Sequence, residues 1–388
     1  MPDPLLEPAI DGIEALLLEL AAGAADRERE RRHPLAEVRE LAGAGIGRLR
    51  VPVEYGGDGG SLRDLFTLVI QIARADSNVA QALRAHFHFV EGRLAAQDEM
   101  QRERWFPEVV AGMLFGNATV ERSTSDIFAF ETRLVPDGQD GFRLTGTKYY
   151  STGTLYADRV AVAACLPDGT VASAVVPVDR AGVTVADDWD GMGQRLTASG
   201  TTLFEDVHVA ADEVLPSPIG KATDTPRAAF LQLYLVAVAA GIIRATAVDA
   251  AAVVRSRART FSHGSADVPK DDPLLQLVVG EIDANAFAAE TVVLAAADAL
   301  DRVTDAASQH EAAVAAARAQ VLVSELAPKS AEMLFDVGGA SATSREANLD
   351  RHWRNARTLG SHNPAAYKAR ALGDLLINGT ALPTNGFF

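Results

Sequence analysis

The stretch FRLTGTKYYST, residues 142–152, is rich in Thr, Tyr and Phe and lies between two long regions with helical patterns. Three similar runs follow it: RVAVAACL (159–166), TVASAVVPV (170–178) and TTLFEDVHV (201–209). Pro-Asp-Gly turn signals at 136–138 and 167–169 separate these runs. β-branched and aromatic residues between such turns are typical of short strands, so the sequence predicts an antiparallel β domain over residues 117–222.

Both flanking regions have the spacing of amphipathic helices. The first helix is predicted over residues 9–31, and Ser61 with Asp64 predicts a capping-box start for a later one. Long alanine-rich helical patterns return near residue 228 and are predicted at 228–262, 273–304, 310–337 and 364–377. Helices, then strands, then helices indicate a segregated α+β fold that is mostly α. The expected domains are 1–116 (helical), 117–222 (β) and 223–388 (helical).

Composition limits the classes of partner. A net charge of -16 over 388 residues repels nucleic acid and anionic membranes, so we expect neither. The single cysteine, Cys165, excludes an internal disulfide and a cysteine-based metal cluster, and it fits a reducing, cytoplasmic location. The N-terminus MPDPLLEPAI has no basic region, so no signal peptide is expected. Segment 228–254 is very apolar but is interrupted by Gln232, Arg244 and Asp249, which favours a buried helix over a membrane span.

Four motifs, in this order, resemble those of the acyl-CoA dehydrogenase family: VPVEYGGDGGSL (51–62), GTKYYSTGTLYAD (146–158), GQRLTASGTTLFEDVHV (193–209) and VRSRARTF (254–261). The resemblance implies an N-terminal helical domain, a middle antiparallel β-barrel or sandwich and a C-terminal four-helix bundle. It also implies a bound flavin. Thr152, with Ser151 beside it, would approach the flavin N5 edge, and Arg259 would reach a flavin phosphate across a subunit interface. Arg255 or Arg257 could make the phosphate contact instead.

Further details resemble the reduced-flavin-dependent monooxygenases of this superfamily, of the dibenzothiophene monooxygenase type. The motif GNATVERSTSD (116–126) puts Asn117 at their flavin-facing asparagine, and RAHFHF puts His86 at their helical histidine. The C-terminal segment from 336 to 368 puts His362 at their second histidine. Ser341 stands where dibenzothiophene monooxygenase has an arginine near the flavin, so the resemblance implies that flavin anchoring differs there.

The residues around His86 and His362 also bear on whether each histidine is a core, surface or catalytic residue. In a helix predicted from about Ser77 to Leu94, His86 shares the apolar stripe of Leu83 and Val90, and His88 points to the opposite side. A lone histidine on an apolar face is usually a core residue, and only the resemblance favours a catalytic one.

His362 is followed by Asn363 and Pro364, which predict the N-cap and first residue of the last helix. The positive end of that helix would oppose protonation and favour a neutral imidazole. On spacing alone, a water-exposed histidine is an equally good interpretation.

These groups suit oxygen chemistry on a flavin. Reduced flavin and O2 give a C4a-(hydro)peroxyflavin, which must be protonated and kept from bulk water. His86 and His362 could handle that proton near neutral pH, and Thr152 and Asn117 could hydrogen-bond the flavin edge or the distal oxygen. A dehydrogenase instead needs a carboxylate base, and none lies between Asp350 and Asp374.

We therefore expect a monooxygenase that uses reduced FMN (FMNH2) and O2 on a small apolar S-, N- or C-nucleophile. A separate NAD(P)H:flavin reductase would supply the flavin, because neither GIGRLR nor GMGQRL completes a dinucleotide fingerprint. The resemblance implies a homotetramer, and no His/Asp/Glu spacing predicts a metal. Two alternatives stay open: an FAD-containing acyl-CoA dehydrogenase with its base elsewhere, for instance on the 228–262 helix, and an inert flavin-binding protein.

Overall fold

A computed structural model describes residues 10, 12–96, 98–122, 130–138, 141–217, 227–384 and 388. The order of elements within them is helices, then strands, then helices, so the predicted fold class is confirmed. The expected boundary between the β domain and the C-terminal helices, at 222/223, lies outside the described residues.

The N-terminal region is helical. Its helices are α1 (Ile13–Glu30), α2 (Leu35–Gly43), α3 (Leu62–Ala75), α4 (Ser77–Ala82), α5 (Arg84–Leu94) and α6 (Glu99–Val110). The predicted capping box is present, because Ser61 accepts from the Asp64 amide while the Asp64 carboxylate accepts from the Ser61 amide. The helix predicted from Ser77 to Leu94 is interrupted at Leu83, which separates α4 from α5.

The middle region is one curled sheet. Its strands are β1 (Phe115–Ala118), β2 (Arg133–Pro136), β3 (Gly141–Lys148), β4 (Arg159–Cys165), β5 (Val171–Pro177), β6 (Val183–Val185), β7 (Thr202–Ala210) and β8 (Val214–Pro216). The order is β6-β7-β3-β2-β4-β5-β8, and β1 also pairs with β4. Most pairs are antiparallel as predicted, but β1 and β2 join β4 in parallel. They can do so because neither strand is connected to β4 by a tight hairpin.

The C-terminal region is built on three long helices. It comprises α7 (Arg227–Ser256), α8 (Pro273–Asp301), α9 (Ala306–Gly338), α10 (Arg351–Gly360) and α11 (Ala365–Asn378). Helices α7, α8 and α9 pack on one another, and α11 packs on α9, which makes a four-helix arrangement. By length and composition α7 could cross a membrane, yet most of its apolar window is buried inside the protein. This agrees with the predicted buried helix.

Helix α3 connects the two helical regions by packing on α7. The contact is close at Gly241, where an added Cβ would lie 2.4 Å from the Ala73 Cβ and 2.7 Å from the Ile70 carbonyl oxygen. Separations this short force backbone to move, so only glycine lets α3 and α7 approach to this distance.

We predict that Gly241→Ala lowers the free energy of unfolding by about 1–3 kcal/mol, because overpacking outweighs the helix propensity that alanine adds. Gly373→Ala on α11 is the matched control. Nothing lies within 4 Å of its added Cβ, so it should leave stability unchanged or raise it. Urea unfolding followed by circular dichroism measures both variants. A Gly241→Ala protein as stable as the parent would contradict this packing.

Candidate functional site

The segment after β3 is held by a buried ion pair. The Lys148 ammonium lies 2.7 Å from the Glu121 carboxylate and is fully buried. Glu121 also accepts from the amides of Glu131 and Thr132 and from the Thr132 hydroxyl. Hydrogen bonds from these groups and the ammonium lower the pKa of Glu121 in spite of its burial. The pair therefore fixes the polypeptide that enters residues 149–154.

Residues 151–153 lie beside residues 197–200. The Ser151 amide donates to the Gly200 carbonyl (3.1 Å), and the Gly153 amide donates to the Thr197 carbonyl (2.9 Å). Gly153 has φ 80° and lies against the end of α4, where a Cβ would be 2.1 Å from the Ala82 carbonyl oxygen. Thr152 is thus placed rigidly between the sheet and the N-terminal helices.

Three hydroxyl groups form a chain with one possible direction. Thr152 Oγ1 lies 2.8 Å from Ser199 Oγ, which lies 2.8 Å from Thr197 Oγ1. Thr197 Oγ1 donates to the Gln194 carbonyl at 2.8 Å, and a carbonyl can only accept. Each hydroxyl has one proton, so Ser199 must donate to Thr197 and Thr152 must donate to Ser199. Thr152 therefore offers only lone pairs to any further partner.

Two neighbouring residues have polar groups that fit a flavin edge. The Ser151 hydroxyl is buried and has no hydrogen-bond partner among the described residues, which is costly unless a ligand supplies one. Asn117 is half-buried on β1, and its side-chain oxygen accepts from Thr119 (2.7 Å). Residues 115 and 117 share a face of the strand, and the Phe115 ring stacks on Phe89 of α5 at 4.1 Å. Asn117 therefore lies on the α5 side of the sheet.

His86 is a core residue in the structure. Its Nε2 donates to the Gly47 carbonyl (3.0 Å), and its Nδ1 accepts from the Phe115 amide (3.3 Å). Both ring nitrogens are therefore used by backbone, and burial lowers the pKa of His86 to about 4. This geometry does not support the flavin-facing role that the resemblance implied for His86. It supports the core interpretation of its apolar stripe.

His88 lies on α5 two residues beyond His86, and its ring contacts Arg227. Arg227 Nε donates to His88 Nε2 at 2.5 Å, and Arg84 Nη1 lies 3.5 Å from His362 Nε2. Arg84 also donates to the Leu231 carbonyl (3.2 Å). Burial and, to a smaller extent, the charge of Arg84 lower the pKa of both histidines. Sequence reasoning missed this group, although Arg84 and His88 have the i, i+4 spacing of one helical face.

Arg84, His88, Arg227 and His362 form one partly accessible region, which we call the recess. The first three side chains are half-buried and His362 is exposed. Burial lowers the pKa of His362 to about 3, with a smaller contribution from the Arg84 charge.

The turn that carries His362 differs slightly from the prediction. Helix α11 begins at Ala365 with Pro364 in the N-cap position, one residue later than expected. Asn363 instead offers its backbone carbonyl to the Gln320 side chain (2.9 Å). The lowered pKa of His362 agrees with the neutral imidazole expected from sequence, and burial and the Arg84 charge are its causes.

No carboxylate of the described residues contacts the recess. The one acid on α7, Asp249, is held by Arg351 (2.5 Å) and His352 (2.7 Å), and hydrogen bonds and charge lower its pKa to about 2. It lies 22 residues beyond Arg227, or about 33 Å along the helix at a rise of 1.5 Å per residue. The α7 base that a dehydrogenase alternative would need is therefore not present near the recess.

Arg259, expected at the flavin phosphate, and Ser341, expected near the flavin, lie close to the other end of α7. Arg259 and Ser341 are both exposed. Arg257 donates to the Val337 carbonyl (2.6 Å), which brings the two segments together. The 30 residues of α7 span about 45 Å, far more than the length of FMN, so one subunit cannot use both ends on one flavin.

Comparison with known proteins gives the family. The N-terminal domain model of acyl-CoA dehydrogenase matches residues 15–113, and the C-terminal domain model matches residues 233–366.

Individual relatives align over nearly their whole length. A dibenzothiophene monooxygenase of Rhodococcus erythropolis is 29% identical over 385 residues, covering 94% of this chain and 92% of the relative. TdsC of Paenibacillus sp. A11-2, solved with FMN and indole, has a TM-score of 0.86 at 28% identity, with 96% and 99% of the two chains covered. The methanesulfinate monooxygenase MsuC of Pseudomonas fluorescens has a TM-score of 0.87 at 27% identity, with both chains fully covered. Matched by family models in both of its helical regions, this chain belongs to the acyl-CoA dehydrogenase family.

Proposed function

We propose that this protein is a flavin-dependent monooxygenase that uses reduced FMN and O2 to oxygenate a small nucleophile. The observation that carries the proposal is the recess itself, which holds two neutral imidazoles and no carboxylate among the described residues. The dibenzothiophene monooxygenase, TdsC and MsuC relatives support the same class of reaction. Their names cover neutral aromatic and small anionic molecules, so they leave the substrate of this chain open.

Bound reduced flavin would supply two electrons, so that one atom of O2 enters the product and the other leaves as water. His362 contributes a hydrogen-bond donor at a defined atom. Arginine can only donate, so His362 Nε2 accepts from Arg84 and the ring proton resides on Nδ1. Its low pKa keeps the imidazole neutral at physiological pH, so it can donate a hydrogen bond without adding charge.

The hydroxyl chain supports reduced flavin over oxidised flavin. Thr152 would lie at N5, as the family motif implies, and there it can only accept a hydrogen bond. N5 carries a proton in reduced flavin and is an acceptor in oxidised flavin. Thr152 therefore favours the reduced form, and Ser151 and Asn117 are further candidates for contacts to the ring.

The distance between the two ends of α7 supports assembly into an oligomer. Arg259 and Ser341 would contact the phosphate of a neighbouring subunit's flavin, and a homotetramer would provide that neighbour. Exposed apolar side chains on α8, among them Leu274, Leu277 and Phe287, support such an interface. A separate flavin reductase would deliver reduced FMN, and the cytoplasm is the proposed compartment.

We predict that His362→Ala uncouples the reaction. With externally reduced FMN, O2 and a substrate, product should fall at least tenfold while hydrogen peroxide release rises, because the donor at Nδ1 is lost. His208→Ala on the exposed surface of β7 is the control and should behave like the parent. Unchanged coupled product in the His362→Ala protein would exclude this role.

A second prediction separates His86 from His88. Replacing His86 with Gln should lower the free energy of unfolding by about 1–3 kcal/mol at pH 7, because two buried backbone groups lose their partner. As pH falls below 6.5, His86 of the unfolded chain becomes protonated while the folded, buried imidazole stays neutral. The parent therefore loses stability as pH falls, and the His86→Gln protein does not. The difference in unfolding free energy between the two proteins should be smaller at pH 5 than at pH 7. His88→Gln should instead lose product with little change in stability. Urea titrations and product assays on both proteins make the comparison, and the reverse pattern would restore His86 as the functional histidine.

A third prediction concerns Ser199. In Ser199→Ala the Thr152 proton is released and can turn toward the acceptor N5 of oxidised flavin. The affinity for oxidised FMN should then rise, by about tenfold for one hydrogen bond, while the affinity for reduced FMN does not. Anaerobic and aerobic fluorescence titrations give the ratio of the two Kd values, with Thr184→Ala on β6 as a distant control. An unchanged ratio would refute the direction of the hydroxyl chain.

A further inference from the structure

One segment of the chain lies between the Thr152 hydroxyl and the helix that leads to His362. We call residues 192–199 the bridging segment. On one side it carries Thr197 and Ser199, the hydroxyl groups that set the direction of the Thr152 proton. On the other side it contacts α10, which ends just before the His362 turn. The bridging segment therefore connects the two halves of the candidate site.

The contact between the bridging segment and α10 is close. A Cβ added at Gly193 would lie 2.1 Å from the Arg354 carbonyl oxygen and 2.6 Å from Thr358 Oγ1. Arg354 also donates to the Met192 carbonyl at 3.0 Å. Only glycine permits such an approach, so the backbone of the segment lies directly on α10.

Asn355 of α10 binds the backbone of this segment at one defined point. Its side chain is buried, and its Oδ1 accepts from the Gln194 amide at 2.5 Å. Its Nδ2 donates to the Glu28 carboxylate at 2.9 Å. A backbone amide can only donate and a carboxylate accepts, so these two partners fix which end of the Asn355 side chain faces each of them.

The bond to Glu28 is not the contribution that distinguishes Asn355. Arg354, its neighbour on α10, already holds the Glu28 carboxylate at 2.7 Å. Helix α1 therefore stays attached to α10 without Asn355. The Gln194 amide, by contrast, has Asn355 as its acceptor within the part of the chain that the structure describes.

Gln194 needs a restraint because its backbone is strained. Its φ is 52°, a left-handed value that costs a residue with a Cβ about 1–2 kcal/mol. Asn355 holds the amide on one side of its Cα. The carbonyl on the other side accepts from Thr197 Oγ1 (2.8 Å) and from Trp189 Nε1 (2.9 Å). The direction of this carbonyl therefore depends on a backbone conformation that the Asn355 bond maintains.

These contacts form a continuous path of hydrogen bonds from α10 to Thr152. The Gln194 amide donates to Asn355, and the Gln194 carbonyl accepts from Thr197. Ser199 donates to Thr197, and Thr152 donates to Ser199. Every hydroxyl proton in the path is directed toward the Gln194 carbonyl, so a change at that carbonyl alters the proton direction at Thr152.

We propose that Asn355 is a positioning residue for the flavin edge. By holding Gln194 in its left-handed conformation, it keeps Thr152 as a hydrogen-bond acceptor and so favours reduced flavin. The proposal rests on the proposed monooxygenase function, which places Thr152 at N5. Asn355 itself touches no reacting group. Because α10 also leads into the His362 turn, one helix then sets both the acceptor at Thr152 and the position of the imidazole.

The first experiment compares Asn355→Ala with Asn348→Ala. Asn348 is equally buried (5% exposed, against 4% for Asn355) and also contacts Arg354, at 2.9 Å, but its amide donates to the Ala25 carbonyl instead of holding the bridging segment. Fluorescence titrations give the ratio of the Kd values for oxidised and reduced FMN, and urea titrations give stability. Both variants should lose stability. Only Asn355→Ala should lower the preference for reduced FMN, by about three- to tenfold, the range of one hydrogen bond.

Two further variants separate positioning from a merely structural role. Asn355→Asp keeps an oxygen for the Gln194 amide and loses the donor to Glu28, so it should lose stability and keep the preference of the parent. Thr197→Val interrupts the path at another point and should lower the preference as Asn355→Ala does. Because both changes act on one path, the double variant should lower the preference no further than either single one.

Three results would each overturn the proposal: a parent that binds both forms of FMN equally, an unchanged preference in Asn355→Ala, or an equal loss of preference in Asn348→Ala. If Asn355→Ala does not fold, a lost preference in Asn355→Asp would overturn it as well.

Failure of the proposed function has a different signature. A preference for reduced FMN that depends on Asn355, in a protein that never yields oxygenated product from reduced FMN and O2, would exclude the monooxygenase and keep the positioning role. Coupled product formation by a protein whose preference does not depend on Asn355 would do the reverse.

Discussion

The burial of α7 is the constraint on which the rest of the structure depends. This helix is apolar on nearly every side, so it must be covered by protein all around. Helix α3 covers it from the N-terminal region, at a distance that Gly241 permits, and α8 and α9 cover it from the C-terminal region. Because both regions pack on the same helix, the sheet between them in sequence is brought against the ends of α4 and α5.

Polar groups in this fold fall into two sets. In the first, charges are paired inside the protein, as with Lys148 and Glu121, and these pairs hold loops in place. In the second, hydrogen-bonding capacity is left unused: the Ser151 hydroxyl and Arg84 Nε have no partner among the described residues. Such groups near Thr152 and His362 are available to a ligand.

The sequence predicted the fold class and most helices, because strand runs, turn signals and the capping box at Ser61 act locally. It assigned His86 to the site by resemblance, whereas both ring nitrogens of His86 bond to backbone in the structure. His86 and His88 are two residues apart on one helix, and only the packing of α5 on β1 decides which side is core. Helix α11 begins one residue later than predicted, and the Asn363 carbonyl before it accepts from Gln320 of α9. The contact between Arg84 and His362 joins residues 278 positions apart, so no local run of residues could reveal it.

The length of α7 has a consequence for how such an enzyme could be regulated. In the proposed assembly its two ends would contact different flavins, so one subunit would provide the ring-binding half of one cofactor site and the phosphate-binding half of another. Cofactor retention would then depend on protein concentration, and dilution would empty the sites before it unfolded any chain. Occupied flavin would in turn hold neighbours together, so that assembly and loading become a single equilibrium.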